Sequence, residues 1–162
     1  MNIDKTNRRI LRELERDGRI TNAELAEKIG LSPSACLRRV QELEKTGVIK
    51  GYRAVIDAGA MDRSFTVFAT VALSDHQKKS QRQFEWAMQQ AEQVRECHNV
   101  TGSFEYILRI EVADLEAYKK FHTDVLGTVP LVSGITSYIS MEKVKDDRSQ
   151  GSARISGRKD CL

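Results

Sequence analysis

The 162-residue sequence has no long hydrophobic run. No stretch approaches the roughly 18 apolar residues that a membrane-spanning helix needs, and the opening residues, MNIDKTNRRIL, lack the apolar core of a signal peptide. We therefore expect a cytoplasmic protein with no membrane partner. The composition, 40% hydrophobic and 30% charged, is typical of a soluble globular protein, and the length suits one ordinary domain or two small ones.

Cysteine is scarce, and the motifs of common enzymes are missing. The three cysteines are an odd number at no metal-ligand spacing, and we interpret them as reduced thiols. No nucleotide-binding glycine motif or nucleophile elbow occurs, and no carboxylate or cysteine stands at catalytic spacing from a histidine. The sequence therefore predicts no catalytic residue, no metal site and no cofactor. The cysteines are Cys36, Cys97 and Cys161, and the histidines are His76, His98 and His122.

Charge is distributed unevenly along the chain. Residues 1–56 hold 12 Lys/Arg and 8 Asp/Glu, a net +4, whereas residues 57–144 hold 9 and 12, a net −3. The last 18 residues hold 5 and 3, a net +2. A basic N-terminal segment followed by an acidic central segment favours contact between the N-terminal segment and a polyanion, although ordinary fluctuation of surface charge would give the same pattern.

The first 56 residues carry the periodicity of three helices. Asp4 is expected to cap the first helix and Gly18 to end it. Thr21 and Glu24 form a capping box at the start of the second, in which each side chain satisfies an unpaired amide. The third helix is expected to bury residues spaced at i, i+4 and i+7, namely Cys36, Val40 and Leu43.

The segment GLSPSACLRRV joins the second and third helices. Gly30 suits a left-handed helix end, Ser32 is a strong N-cap, and Pro33 fits the first helical position. Two helices joined by so short a turn are the helix-turn-helix arrangement, whose second helix enters the major groove of DNA. Arg38 and Arg39 are both candidates to bind guanine, and the pattern favours Arg38 without settling the choice.

Basic and hydroxyl-bearing residues around this turn form the predicted DNA interface. Residues 48–56, VIKGYRAVI, predict a short β ribbon that exposes its two basic residues. The alternative is a three-helix packing module with surface arginines. The predicted DNA-binding residues are Thr21, Asn22, Ser32, Ser34, Ala35, Arg38, Arg39, Lys50 and Arg53.

Three segments resemble the leucine-responsive regulatory protein/AsnC (feast/famine) family of bacterial and archaeal transcription regulators. They are NRRILRELERDGRITNAELAEKIGLSPSACLRRVQELEKTGVIKGYRAVID, VTGSFEYILRIEV and SGITSYISMEKVK, within a similarity over about residues 3–145. The resemblance implies an α+β protein: an N-terminal three-helix winged helix-turn-helix domain and a C-terminal ferredoxin-like βαββαβ domain that dimerises and senses amino acids. We expect the helix-turn-helix domain at 1–51, a linker strand and connector at 52–63, the ferredoxin-like domain at 64–145 and a disordered tail at 146–162.

The pattern of the second half independently predicts the order β-α-β-β-α-β, which is the ferredoxin-like arrangement. The expected elements are a strand at 65–73, a helix opened by a capping box of Ser80 and Gln83, strands at 94–100 and 104–112, a helix capped by Asp114 and a strand at 134–142. One sheet face would be left without helices. The residues expected on it are Thr66, Phe68, Thr70, Ile107, Ile135 and Ile139.

Those side chains are too apolar for a face in water, so we expect a homodimer formed through it, with further assembly into a tetramer or octamer. Covering of the face by the wing or linker of the same chain is the alternative.

Members of the family carry a Gly-x-x-Asp-Tyr turn beside an amino-acid pocket at a subunit interface, and here Glu105 replaces the Asp. Glu105 could pair with the effector's ammonium group, or it is a strand carboxylate in water or paired with Arg109. The resemblance implies that the effector site comprises Val100, Gly102, Ser103, Phe104, Glu105 and Tyr106, with Thr136, Ser137 and Tyr138 from a neighbouring subunit.

The sequence thus predicts a transcription regulator rather than an enzyme. It would bind specific double-stranded DNA sequences and respond to a small amino acid or related metabolite. One alternative is an effector-independent protein that organises DNA by phosphate contacts alone. Another is an enzyme like the tetrapyrrole-modifying decarboxylases that resemble this family, for which His98 beside the Gly102 turn is the only suggestive residue.

Overall fold

The computed structural model describes residues 3–75 and 77–146. They form two compact units. The first comprises the described residues up to Val55 together with Lys145 and Asp146, and the second runs from Ile56 to Val144. Within those ranges no helix is long and apolar enough to cross a bilayer. The predicted disordered tail lies outside the described residues, except for its first residue.

Three helices build the first unit, as the periodicity predicted. They are α1 (Lys5–Arg16), α2 (Asn22–Ile29) and α3 (Pro33–Lys45). Their apolar faces meet in one core that also includes the residue leading into α2. The buried hydrophobic residues are Ile10, Ile20, Leu25, Ala26, Ile29, Cys36 and Leu43.

Local capping signals explain where these helices start and stop. Asp4 accepts a hydrogen bond of 2.6 Å from the Asn7 amide, and Thr21 and Glu24 form the predicted capping box. Gly30 ends α2 with φ +74°, a left-handed conformation that disfavours any side chain. Helix α1 ends at Arg16 with Asp17 as its C-cap, so the predicted stop at Gly18 comes directly after the cap.

No β ribbon forms at residues 48–56, contrary to the prediction. Residues 50–56 form no helix or strand and make no backbone hydrogen bond to another strand, and a single segment without a partner does not make a sheet. Tyr52, Val55 and Ile56 are consequently at least half exposed.

The second unit is the predicted ferredoxin-like domain. Its elements are β1 (Phe65–Leu73), α4 (Lys78–Gln90), β2 (Val94–Asn99), β3 (Tyr106–Val112), α5 (Leu115–Asp124) and β4 (Val132–Ile139), with short 3-10 turns at Gly59–Met61 and Leu126–Thr128. All pairings are antiparallel and the strand order is β2-β3-β1-β4. Together with the helical first unit, this confirms the α+β fold class.

Alternating side chains give the sheet one face buried beneath α4 and α5. The alternation predicted for β1 is confirmed. The core residues are Val67, Ala69, Val71 and Leu73 of β1, Tyr106, Leu108, Ile110 and Val112 of β3, Phe84 and Met88 of α4, and Tyr118 and Phe121 of α5.

The two helices start differently. Asp114 caps α5 as predicted, accepting a hydrogen bond of 2.8 Å from the Ala117 amide. The capping box predicted at Ser80 and Gln83 was wrong. Helix α4 begins three residues earlier, with Gln77 at the N-cap position, which makes no side-chain cap, and Ser80 is buried inside its first turn.

The open face of the sheet carries Thr66, Phe68, Thr70 and Ile107, as predicted. Ile135 and Ile139 were placed on the wrong face. They pair with Val71 and Val67 and therefore lie on the helix-covered side. A strand's side chains alternate between faces, so the pairing register decides which residues are exposed.

Candidate DNA interface and effector site

One face of α3 is free of the core. Cys36 and Leu43 are fully buried, whereas Ser34, Leu37, Arg38 and Gln41 are exposed. At 3.6 residues per turn, these four exposed positions fall within about 100° of the helix surface. They form the outer face of α3, a mostly polar strip that is free to meet a partner.

The turn before α3 is held rigidly. The Asn22 side-chain amide donates a 2.8 Å hydrogen bond to the Pro33 carbonyl, and the Leu31 amide donates a 2.9 Å bond to Ala26. The Ser32 hydroxyl accepts a bond from the Ala35 amide and lies 3.3 Å from the Ser34 hydroxyl. These bonds fix the angle between α2 and α3, so the orientation of the outer face of α3 is preset.

The two adjacent arginines point in different directions. The Arg39 guanidinium donates hydrogen bonds of 2.8 Å to Asp4 and 2.9 Å to the buried Asn7, both at the start of α1. Arg38 is exposed and makes no hydrogen bond or ion pair within the described ranges. Only Arg38 is therefore available to a partner of α3.

The remaining predicted DNA residues differ in how free they are. Thr21 is exposed, but its hydroxyl already bonds to Glu24, and Ala35 is half-buried. Lys50 and Arg53 are exposed on the segment after α3 that forms no helix or strand. Leu37 and Gln41 were not predicted from the sequence, although helical spacing from Ser34 would have placed both on the outer face of α3.

The predicted effector turn lies between β2 and β3. Gly102 has φ +144°, a conformation that side chains rarely adopt. The amides of residues 102–104 donate no hydrogen bond within the described part of the chain, whereas the Glu105 amide donates to Val71 and its carbonyl accepts from Val100. The turn is thus anchored to β1 while three consecutive amides stay free, an arrangement suited to an anion.

Glu105 does not pair with Arg109. Its carboxylate accepts a 2.8 Å hydrogen bond from the Leu73 amide, at the end of β1. Arg109 instead donates to Glu96 and Glu111 on the open face of the sheet. One Glu105 oxygen therefore ties the turn to β1.

Tyr106 is a core residue at the end of this turn. It is fully buried, its ring lies 4.6 Å from that of Phe84, and its hydroxyl donates a 2.9 Å hydrogen bond to Glu85. Burial, reinforced by the Glu85 carboxylate, raises the pKa of Tyr106 to about 12. The hydroxyl is thus a permanent donor at physiological pH.

A groove of about 420 Å³ opens beside Tyr106. It runs between α4 and β2, which come together only when the domain folds. Most of its lining residues were therefore not predicted from the sequence. Its lining residues are Glu85, Met88, Gln89, Val94, Arg95, Glu96, Cys97, Asn99 and Tyr106.

The other predicted effector residues are dispersed. Ser103 is exposed, and Val100 and Phe104 are half-buried near the turn. Thr136 and Tyr138 lie on the open face opposite Thr70 and Phe68, two strands from β3, at about 10 Å. Ser137 lies on the helix-covered side and hydrogen-bonds to the Tyr118 hydroxyl, so it does not join its two neighbours.

Charged residues occupy the β2 side of the open face. Arg109 bridges Glu96 and Glu111, and His98 lies 3.2 Å from Glu96. The Arg109 guanidinium, with His98 as a second partner, lowers the pKa of Glu96. Over residues 3–75 and 77–146, no cluster of histidine, cysteine, aspartate and glutamate could hold a metal ion. His76 and Cys161 lie outside those ranges.

Comparison with known proteins gives matches over both units. The family of winged helix-turn-helix DNA-binding domains matches residues 3–50, and the Lrp/AsnC ligand binding domain family matches residues 66–150. A curated relative, the leucine-responsive regulatory protein of Escherichia coli strain K12, is 41% identical over 143 residues, which are 88% of this chain and 87% of the relative.

Solved structures agree with these matches. A transcriptional regulator from Neisseria meningitidis in complex with L-methionine has a TM-score of 0.85 and 30% identity, covering 90% of this chain and 94% of that one. A feast or famine regulatory protein from M. tuberculosis complexed with L-methionine has a TM-score of 0.79 and 31% identity, covering 91% and 97%. This chain therefore belongs to the Lrp/AsnC family of DNA-binding transcription regulators, and its second domain is of the effector-binding type.

Proposed function

We propose that the protein is a sequence-specific transcription regulator whose DNA binding changes when a small amino acid binds at a subunit interface of its second domain. The observation that carries the proposal is the run of free amides at residues 102–104, held beside Tyr106 in a domain of the effector-binding type. Two solved relatives are complexes with L-methionine, which makes amino acids the first ligand class to test.

In the DNA complex, α3 lies in the major groove and Arg38 donates to a base, most simply guanine. The exposed hydroxyls of Ser32 and Ser34 and the basic side chains of Lys50 and Arg53 contact phosphates. Arg39 keeps its hydrogen bonds to the start of α1 and contacts no base. This division follows from which side chains are exposed and which are already bonded within the chain.

In the effector complex, the free amides of residues 102–104 bind the ligand carboxylate. Gly102 lets the ligand approach the backbone closely because it has no side chain. The groove between α4 and β2 reaches Asn99 and Tyr106, which flank this turn, and its apolar lining residues Met88 and Val94 would contact the ligand side chain. An effector changes DNA binding only if it binds the two states with different affinity.

The open sheet face joins two chains into a homodimer. Phe68 is 42% exposed and is paired with Tyr138, which is 56% exposed, and the pair of Thr70 and Ile107 lies beside them on the same face, an apolar centre for an interface. A twofold axis through this face would give each dimer two DNA-binding domains. Further assembly into tetramers or octamers would create the additional subunit contacts at which an effector acts.

Calorimetric titration of the full-length protein with each of the 20 amino acids, L-methionine first, tests the effector site. Gly102→Ala forces a side chain into a conformation that disfavours it and should weaken binding at least about tenfold. Gly134→Ala is the matched control, because its new methyl group would only touch Ala72 at 3.8 Å.

Two results would count against the proposed effector site. One is an absence of binding by any amino acid, and the other is equal binding by both variants. If DNA binding also shows steep salt dependence with equal affinity for all sequences, the protein is an effector-independent DNA organiser instead.

A further inference from the structure

We propose that Leu37 is a specificity-determining residue that recognises thymine through its 5-methyl group. The inference rests on the proposed placement of α3 in the major groove. It adds an apolar contact to the polar recognition by Arg38. No hydrogen bond is involved, since Leu37 offers only methyl and methylene surface.

Leu37 is 46% exposed although the neighbouring apolar residues of α3 are not. Cys36 and Leu43 are fully buried, and Val40 is half-buried against the same core. The core of the first unit is therefore complete with much of the Leu37 side chain left in water. Its exposed part contributes nothing to folding in the free chain.

The neighbours of Leu37 on the outer face of α3 are all polar. Ser34 precedes it by one turn, Gln41 follows it by one turn, and Arg38 lies beside it. The rigid turn before α3 presents these four side chains together. An apolar side chain at one edge of this strip gains free energy from the partner only if the partner surface has an apolar patch at that point.

The major groove has one such feature among the four bases. Guanine, cytosine and adenine present only hydrogen-bonding groups there, whereas thymine adds its 5-methyl group. Leu37 therefore matches thymine, while Arg38 matches guanine and Gln41 matches adenine. Because Leu37 and Arg38 are consecutive, the thymine should lie within about two base pairs of the guanine.

The test begins with DNA selected from a random pool by the full-length protein. Each thymine of the selected half-site is then replaced singly by deoxyuridine, which removes the methyl group and leaves base pairing intact. We expect the affinity of the wild-type protein to fall about fourfold at one thymine, as for the loss of one buried methyl group. Replacement of any other thymine should leave the affinity unchanged.

The Leu37→Ala variant should bind the unmodified DNA about fourfold more weakly or worse and lose its sensitivity to deoxyuridine at that thymine. Leu115→Ala, on an exposed leucine of α5, is the control and should retain the sensitivity. Equal melting temperatures of the wild type and Leu37→Ala would exclude a folding defect. Nearly half of the Leu37 side chain is already exposed in the free chain, so only a small difference is expected.

The outcomes separate this inference from the proposed function. Enrichment of a motif with no deoxyuridine effect at any thymine would overturn the role of Leu37 and leave the sequence-specific regulator standing. A full deoxyuridine effect retained in Leu37→Ala would likewise overturn it. Failure of the selection to enrich any sequence would overturn both.

Discussion

Arg39 of α3 lies 2.8 Å from Asp4, the residue that caps α1. The same guanidinium nitrogen is 2.9 Å from the side-chain oxygen of the buried Asn7. The middle of α3 is therefore fastened to the first turn of α1. Its neighbour Arg38 is left exposed on the outer face of α3. Of these two adjacent arginines, one thus holds the helix in place and the other is left exposed.

Arg39→Ala should lower the stability of the protein. It removes hydrogen bonds to Asp4 and Asn7 and leaves the buried Asn7 oxygen without its charged donor. We expect a loss of about 0.5–1.5 kcal/mol in the free energy of unfolding, measured by urea denaturation. Arg38→Ala is the control and should leave that free energy unchanged. Equal stability of both variants would contradict the assigned role of Arg39.

Arg38→Ala should weaken DNA binding and relax sequence preference. Loss of a base contact costs about 1–3 kcal/mol on the preferred sequence and little on unrelated DNA. Fluorescence anisotropy with preferred and scrambled duplexes at one salt concentration measures both effects. If binding to the two duplexes weakens equally, Arg38 contacts phosphate rather than a base.

The contact between Asp4 and Arg39 should make stability depend on pH in acid. The Asp4 carboxylate accepts hydrogen bonds from the Asn7 backbone amide and from the Arg39 guanidinium. The bond from Asn7, and after it the bond from Arg39, lowers the pKa of Asp4. A carboxyl whose pKa is lower in the folded state adds stability above its unfolded pKa of about 3.9, and this contribution is lost as the pH falls through the folded value.

The wild type should therefore be more stable than Asp4→Asn at pH 7, and the difference should shrink steadily below about pH 4. Urea denaturation of both proteins across this range measures it. An advantage of the wild type that stays constant down to pH 2 would show that the Asp4 charge is not responsible.

Phe68→Asp should break the proposed homodimer. The substitution puts a charge at the centre of the open sheet face, on both sides of a twofold interface. Loss of two buried phenyl groups should weaken dimerisation about a hundredfold or more. Analytical ultracentrifugation gives the mass of the assembly, and Leu115→Asp, an exposed leucine of α5, is the matched control. A dimer unaffected by Phe68→Asp would place the interface elsewhere.

Local chemistry made much of the fold predictable. The caps at Asp4 and Asp114, the capping box of Thr21 and Glu24 and the helix end at Gly30 depend on residues within a few positions of one another. The alternation of side chains along β1 likewise determines which of them are buried. These features were confirmed because sequence spacing alone determines them.

Features that depend on distant partners were harder to predict. The face on which Ile135 lies depends on the register between β4 and β1, and Glu105 bonds to Leu73, 32 residues away. Arg38 and Arg39 differ by only one position, and which of them is free depends on the packing of α1. The groove beside Tyr106 forms only when α4 and β2 meet.

The central claim is that this protein binds particular DNA sequences and that an amino acid changes this binding. The most direct measurement is a pull-down of genomic DNA fragments by the purified full-length protein at near-physiological salt, with and without a pool of amino acids. We predict recovery of a small set of fragments whose amounts change when the pool is added. Uniform recovery of all fragments, unchanged by the pool, would contradict the claim.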